Sequence, residues 1–275
     1  MKILLVNKYL YRKGGAETYF IKLGEYLKSL GNEVEYFGMA DERNCVENRV
    51  EAYTENIDFH KKSLKHITYP FKIIYSVNAR KQIRKVLSDF KPDVVHLNNF
   101  NYQLTPSIIY EIKKHNIPIV YTAHDVQLVC PNHKLKNDYT YGLCRKCDGG
   151  KYFECVKNNC VHSSKIRSIL GAVEAWYYKL RHTYKMIDLT VCPSEFMEKE
   201  ISRNDDINGR TVTMYNFIDE IKPLGAECEN YVLYFGRYSE EKGISNLVKA
   251  AKKLSNIPFV FAGKGELENE VNSAD

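Results

Sequence analysis

Four cysteines, Cys144, Cys147, Cys155 and Cys160, crowd the stretch GLCRKCDGGKYFECVKNNC at residues 142–160. Cys144 and Cys147 form a CxxC pair, the knuckle that commonly brings two thiolates to a structural zinc ion. Cys155 and Cys160 supply a second pair, enough to complete a tetrahedron. Gly149 and Gly150 let the chain turn between the pairs, and Cys130, His133 and His162 are nearby spare donors. Three readings stand: a structural zinc, an iron–sulfur cluster or redox pair, and free or disulfide-bonded thiols. Four thiolates leave no open position for a substrate, which argues against a catalytic zinc.

Three other groups of residues could do chemistry. Gly14 and Gly15 sit in GGAE between an apolar run and a helix start. Glycines there let an anion such as a phosphate approach free backbone N–H groups, or they simply allow a tight turn. His124 and Asp125 follow the run IPIVYTA, at the strand end where open α/β sheets bind ligands. Such a histidine either shares a proton with a substrate hydroxyl or caps its own loop. His96 has a similar place, but within an apolar run that suits packing. In GRYSEEKG (236–243), Arg237 and Lys242 flank a helix start and suit a diphosphate, or they pair on the surface with Glu240 and Glu241. Gly263, in AGKGEL, lies in another glycine loop after a strand.

Alternating elements must position these groups. KILLVN (2–7) reads as a buried parallel strand, AETYFIKLGEYLKSLG as a helix and EVEYFG (33–38) as the next strand. The pattern repeats through a basic amphipathic helix at 71–90, a strand at 94–97, a helix in TPSIIYEIKKH and a strand at 117–125. Beyond the cysteines come a long helix at 164–186, a strand at 188–194, a short helix and a strand at 211–219. This order predicts an α/β fold with a parallel sheet covered on both faces. The polar segment 221–230 reads as a linker, and residues 231–275 open a second βαβ unit.

Composition narrows the class. The 275 residues are 44% hydrophobic and 27% charged, which supports a folded core and excludes a disordered tail. The net charge of +6 suits nucleotides, sugar phosphates or a lipid surface, or is that of an ordinary soluble protein. The first apolar run is too short for a signal peptide, and no apolar stretch would span a bilayer, so a cytoplasmic protein is expected. In that compartment thiols or metal ligands are favoured over disulfides.

GGAE after the first strand, HD after a later one, YNFID before the linker, FGRYSEEKG and FAGKGEL occur in order. With them the chain resembles retaining glycosyltransferase family 4, across nearly its whole length. The resemblance implies the GT-B architecture: a Rossmann-like acceptor-side domain at 1–220, with a cysteine-rich insert at about 126–163, and the start of a nucleotide-sugar-binding domain at 231–275. By the same resemblance Gly14 and Gly15 approach the donor phosphates, Arg237, Lys242 and Gly263 hold the donor, and His124 is catalytic, orienting a hydroxyl of the transferred sugar. The donor is then a UDP- or GDP-sugar and the acceptor a glycan or lipid-linked sugar in bacterial surface polysaccharide synthesis, with no cofactor needed for catalysis. Peripheral contact with the inner face of the membrane would bring in the basic helix 71–90 and YYKLRHTYK (177–185), and the alternative is a solvated helix face.

One departure matters. The family carries two donor-binding glutamates eight positions apart in its second domain, and Glu266, Glu268 and Glu270 match neither that spacing nor its context. A chain ending at residue 275 is therefore expected to catalyse little by itself. The rival class is a zinc-stabilised module that binds carbohydrate or nucleic acid without chemistry. No RNA motif or recognition helix stands out, so nucleic acid is not an expected partner.

Overall fold

The structure, a computed structural model, describes residues 1–56, 69–137, 142–218, 229–254 and 256–273. It divides into two compact units, residues 1–218 and 219–275. The boundary falls two residues before the expected one at 220, and most of the expected linker 221–230 lies outside the described residues.

The first unit is built on six parallel strands: β1 (Lys2–Val6), β2 (Glu33–Phe37), β3 (Val94–Leu97), β4 (Ile119–Thr122), β5 (Leu189–Cys192) and β6 (Thr211–Thr213). Their order is β2-β1-β3-β4-β5-β6. The chain therefore reverses direction across the sheet between β1 and β3, and the crevice at their C-terminal ends is where such sheets bind ligands. β1 shows why the sheet is covered on both faces. Leu4 and Val6 join one apolar cluster, while Ile3 and Leu5 join another. Successive side chains of a strand point to opposite faces, so a strand buried on both must be apolar throughout.

Helix α1 (Gly15–Ser29) covers the second face with Phe20 and Ile21. The expected helix at 71–90 is instead two: α2 (Tyr69–Ile74) and α3 (Val77–Phe90). The break has a cause, because Ser76 takes an extended conformation and its hydroxyl accepts the N–H of Ala79 at 3.1 Å. α3 and α4 (Ser107–Lys114) cover the first face through Ile83, Val86, Phe90, Ile108 and Ile112.

α5 (Phe153–Lys157) lies in the cysteine-rich insert, and α6 (Lys165–Leu180) follows it. α6 stops earlier than the expected 186, where His182 turns left-handed and a 3₁₀ turn runs Thr183–Met186. α7 (Glu195–Ile201) leads into β6, which is far shorter than the expected strand 211–219.

The second unit is one βαβ arrangement. β7 (Val232–Phe235) pairs in parallel with β8 (Phe259–Ala262), with α8 (Ile244–Lys253) between them in sequence and α9 (Glu268–Asn272) after. Tyr238, Ile244, Val248 and Val271 form its core.

Candidate functional site

The site in the first unit begins where β1, β3 and β4 end. After β3, Asn98 is buried at 1% exposure, and its Oδ1 lies 2.9 Å from Nε2 of His124, which follows β4. Among the described residues, the amide Nδ2 of Asn98 is buried without a partner. The His124 ring packs edge-on against Tyr19 of α1 at 5.3 Å, and Phe217 packs on that tyrosine at 5.2 Å, tilted by 47°. Burial pulls His124 down to about 4, with Asp125 acting the other way. The ring is thus neutral near pH 7 and donates Nε2–H to Asn98, which leaves Nδ1 as its acceptor. Nδ1 of His124 is thus left to accept from one polar group and Asn98 Nδ2 to donate to another, as the separate hydroxyls of a polyol would offer.

His96 lies within β3, with Nε2 2.7 Å from the Thr122 hydroxyl of β4. Burial lowers it to about 4 and His124 adds to the effect, so it acts as a neutral interior histidine.

The first turn of α1 opens at the same end of the sheet. Glu17 of that turn reaches Asn99 Nδ2 at 3.4 Å. Neither glycine of the GGAE loop has a positive φ, and Gly14 is extended at −164°. Among the described residues, a Cβ at Gly15 would meet nothing within 4 Å. Neither turn conformation nor packing requires glycine at 15. What its absent side chain does leave is open backbone at a helix N-terminus with no side-chain cap, an arrangement suited to an anion.

A second polar cluster adjoins His124, and sequence reasoning largely missed it. Lys8, after β1, donates to Asn101 Oδ1 at 2.8 Å. Asn101 Nδ2, His133 Nδ1 and Asp125 Oδ2 meet within 3.3 Å of one another. The His133 ring stacks on Tyr102 at 5.3 Å and 6°. Burial lowers Lys8, while Asp125 and Glu17 oppose that shift. Burial works to raise Asp125, but His133, the Gln127 N–H and Lys8 together hold it below the usual carboxylate range. Burial pushes Glu174 of α6 up to about 7, with His133 opposing. Tyr102 and His133 both have left-handed backbone, φ 63° and 62°, a strain that surrounding structure must hold in place. His133 was a spare metal donor by sequence. It belongs to this cluster, because its loop turns it toward Asp125 rather than toward the cysteines.

The cysteine-rich insert is tied to the first unit by Arg145, whose Nε donates to the buried Glu200 of α7 at 3.0 Å, and by Trp176 Nε1 donating to Gly150 O at 2.9 Å. Gly149 and Gly150 take φ of 69° and 90°, the left-handed turn expected between the cysteine pairs. Cys130, Cys144, Cys147, Cys155 and Cys160 line one cavity of about 10 Å³, roughly the room of one water molecule. Burial raises the Cys147 thiol to about 12, and Cys130, Cys160 and Cys144 add to the shift, which marks them as its neighbours. His162 does not line this cavity. Among the described residues, no three His, Cys, Asp or Glu side chains are gathered closely enough to hold a metal ion as they stand.

In the second unit, Arg237 is exposed and its Nη2 pairs with Glu241 at 3.0 Å. Lys242 is exposed in the 3₁₀ turn Glu240–Lys242 before α8. Gly263 has a packing reason to be glycine, since a Cβ there would stand 1.9 Å from Gly236 O.

This sheet order, with a histidine–asparagine pair and an open helix N-terminus at the C-terminal ends of its strands, is that of an open, Rossmann-like parallel α/β fold. The model of Glycosyltransferase Family 4 matches residues 13–221, and the chain belongs to that family. Its structure is of the GT-B type. It is similar to sucrose-phosphate synthase from Thermosynechococcus elongatus (TM-score 0.58, 14% identity, covering 95% of this chain and 61% of that one). It is also similar to Anabaena HepE, solved in complex with UDP (TM-score 0.57, 15% identity, 99% and 64%). A third similar structure is the lipopolysaccharide outer core galactosyltransferase WaaB, apo form (TM-score 0.54, 13% identity, 100% and 64%). The chain thus spans 61% to 64% of the length of these solved structures. An uncharacterized 42.6 kDa protein in the cps region of Klebsiella pneumoniae is 26% identical over 280 residues, covering 96% of this chain and 68% of that protein.

Proposed function

We propose that the protein containing this chain transfers a sugar from a UDP- or GDP-sugar to a glycan or lipid-linked acceptor, with retention at the anomeric carbon, in surface polysaccharide assembly. The observation that carries this reading is the pairing of His124 with the buried, half-satisfied Asn98 beside the open start of α1. Neutral His124 would accept at Nδ1 from one hydroxyl of the transferred sugar and Asn98 would donate to a different polar group, fixing the ring as positive charge builds at the anomeric carbon. In the first unit the N–H groups at Gly15 would suit a phosphate, and in the second unit, taken by itself, Arg237 and Lys242 would suit a diphosphate. For Arg237 that means leaving Glu241. Solved neighbours carry UDP, and the cps-region relative supports a role in capsule.

Among the described residues no helix is long and apolar enough to cross a membrane. For a lipid-linked acceptor we place the membrane-facing surface on α6. Ile166, Ile169, Val173 and Leu180 are 72%, 42%, 41% and 79% exposed and recur at helical spacing, with Lys165, Arg167 and Arg181 exposed on the same segment. The basic run at 71–90 is a weaker candidate, because Arg80 and Arg84 both pair with the buried Glu111, at 2.8 and 2.6 Å.

The test is turnover of UDP- and GDP-sugars by the protein that contains this chain, presented with lipid extracts and glycan acceptors. Acceptor-dependent release of the nucleoside diphosphate is expected. Tight binding of a glycan with no turnover of any donor would favour a non-catalytic module.

A further inference from the structure

We propose that the cavity between Cys130, Cys144, Cys147, Cys155 and Cys160 binds one zinc ion, and that Cys130 is among its ligands. Three separate pieces of chain deliver these sulfurs: the loop after β4, the CxxC turn, and α5 with the residues just beyond it. Five thiols converging on one cavity of about 10 Å³ are far more than packing requires, since any small apolar residue would fill the same space. Asn132, Lys136, Arg145 and Asp148 also line the cavity, but Asp148 pairs with Arg203, and the thiols outnumber the oxygen donors, which selects zinc among the abundant divalent ions, and four thiolates complete its tetrahedron.

Cys130 is buried, and the backbone N–H groups of Asn132, Leu135 and Lys134 face its sulfur. Burial raises this thiol, which donates to Asn132 Oδ1 at 2.9 Å, and the N–H groups only oppose that shift, so Cys130 would lose its proton on ligating metal. Cys144 already accepts a hydrogen bond from Asn137 Nδ2 at 3.2 Å, and its N–H donates to Leu135 O at 2.7 Å, so the CxxC turn is held against the loop that carries Cys130. As they stand the side chains do not enclose an ion. Binding therefore draws the thiols inward onto the cavity, with loss of their protons.

The ion's role is to hold the insert, independently of the transferase reading. Its place in sequence gives it a second effect. His133 lies between Cys130 and Cys144, so pinning this loop also holds the strained His133 against Tyr102 and Asp125.

The experiment is metal analysis of the chain purified without chelator, followed by cobalt(II) substitution. About one zinc per chain is expected, replaced by cobalt with the intense thiolate charge-transfer absorption of a tetrahedral site. Cys147→Ser/Cys155→Ser should lose the metal, whereas Cys45→Ser/Cys192→Ser, outside the cavity, should keep it. Should the first pair fail to fold, cobalt uptake by the wild-type chain still decides. A metal-free chain that takes up no cobalt, or one whose thiol count shows disulfides within this set, overturns the proposal. An unchanged charge-transfer band in Cys130→Ser overturns the assignment of Cys130.

Discussion

A methyl group at Gly15 would touch nothing, so Gly15→Ala removes no contact and gives the first turn of α1 a better helix former. Thermal unfolding should show stability unchanged or raised by up to about 1 kcal/mol. Donor binding should weaken about tenfold, equivalent to about 1.4 kcal/mol, because the methyl stands where a phosphate would approach. Undiminished affinity would mean that no phosphate approaches the backbone at Gly15. The titrating side chains make a second forecast. His96 and His124 are held down at about 4, against 6.5 for a free imidazole, so between these values the unfolded chain binds more protons. Stability therefore falls as pH drops through that window. Glu174 works in the opposite sense. Raised to about 7 from 4.5, it makes the folded state the stronger proton binder, and stability falls as pH rises through that range. Urea midpoints measured against pH should show His124→Gln flattening the acid limb and Glu174→Gln the neutral one. An acid limb unchanged in His124→Gln would contradict a ring buried neutral.

The split between α2 and α3 turns on one hydroxyl. Ser76→Ala should cost about 1 kcal/mol in denaturant unfolding by removing the cap on Ala79 N–H. A loss no larger than a few tenths would mean that the capping bond contributes little here. The expected strands and the α1, α4 and α8 helices were legible in the sequence because burial on both faces imposes near-continuous apolar runs, and helix packing imposes a 3.6-residue period. The cap at Ser76 and the left-handed stop at His182 were not, because each depends on one residue's backbone inside an otherwise helical pattern. The site divides in the same way. His124 and Gly15 follow strands and could be read from position alone. The Lys8–Asn101–Asp125–His133 cluster joins residues up to 125 positions apart, and asparagines carry no periodic signal. The one cue available was the run of asparagines after β3, Asn98, Asn99 and Asn101. Cys130 was legible only as a spare donor, until the loop after β4 was seen to bring it to the other four.

At the scale of the molecule, the first unit carries a six-stranded sheet with its switch-point crevice, and the second offers two strands and the helices α8 and α9, with Arg237, Lys242 and Gly263 in the segments that follow its strands. The family assignment rests on residues 13–221, so it is the first unit that defines the chain. In the proposed reaction His124 acts there on the transferred sugar. Its most direct test compares sugar transfer by the protein containing this chain with transfer by its His124→Ala variant, with the folded fraction checked by circular dichroism. Turnover is predicted to fall by about 100-fold or more with little change in donor KM, since the contact strengthens as charge develops in the transition state. Equal turnover in a folded His124→Ala variant would contradict the account.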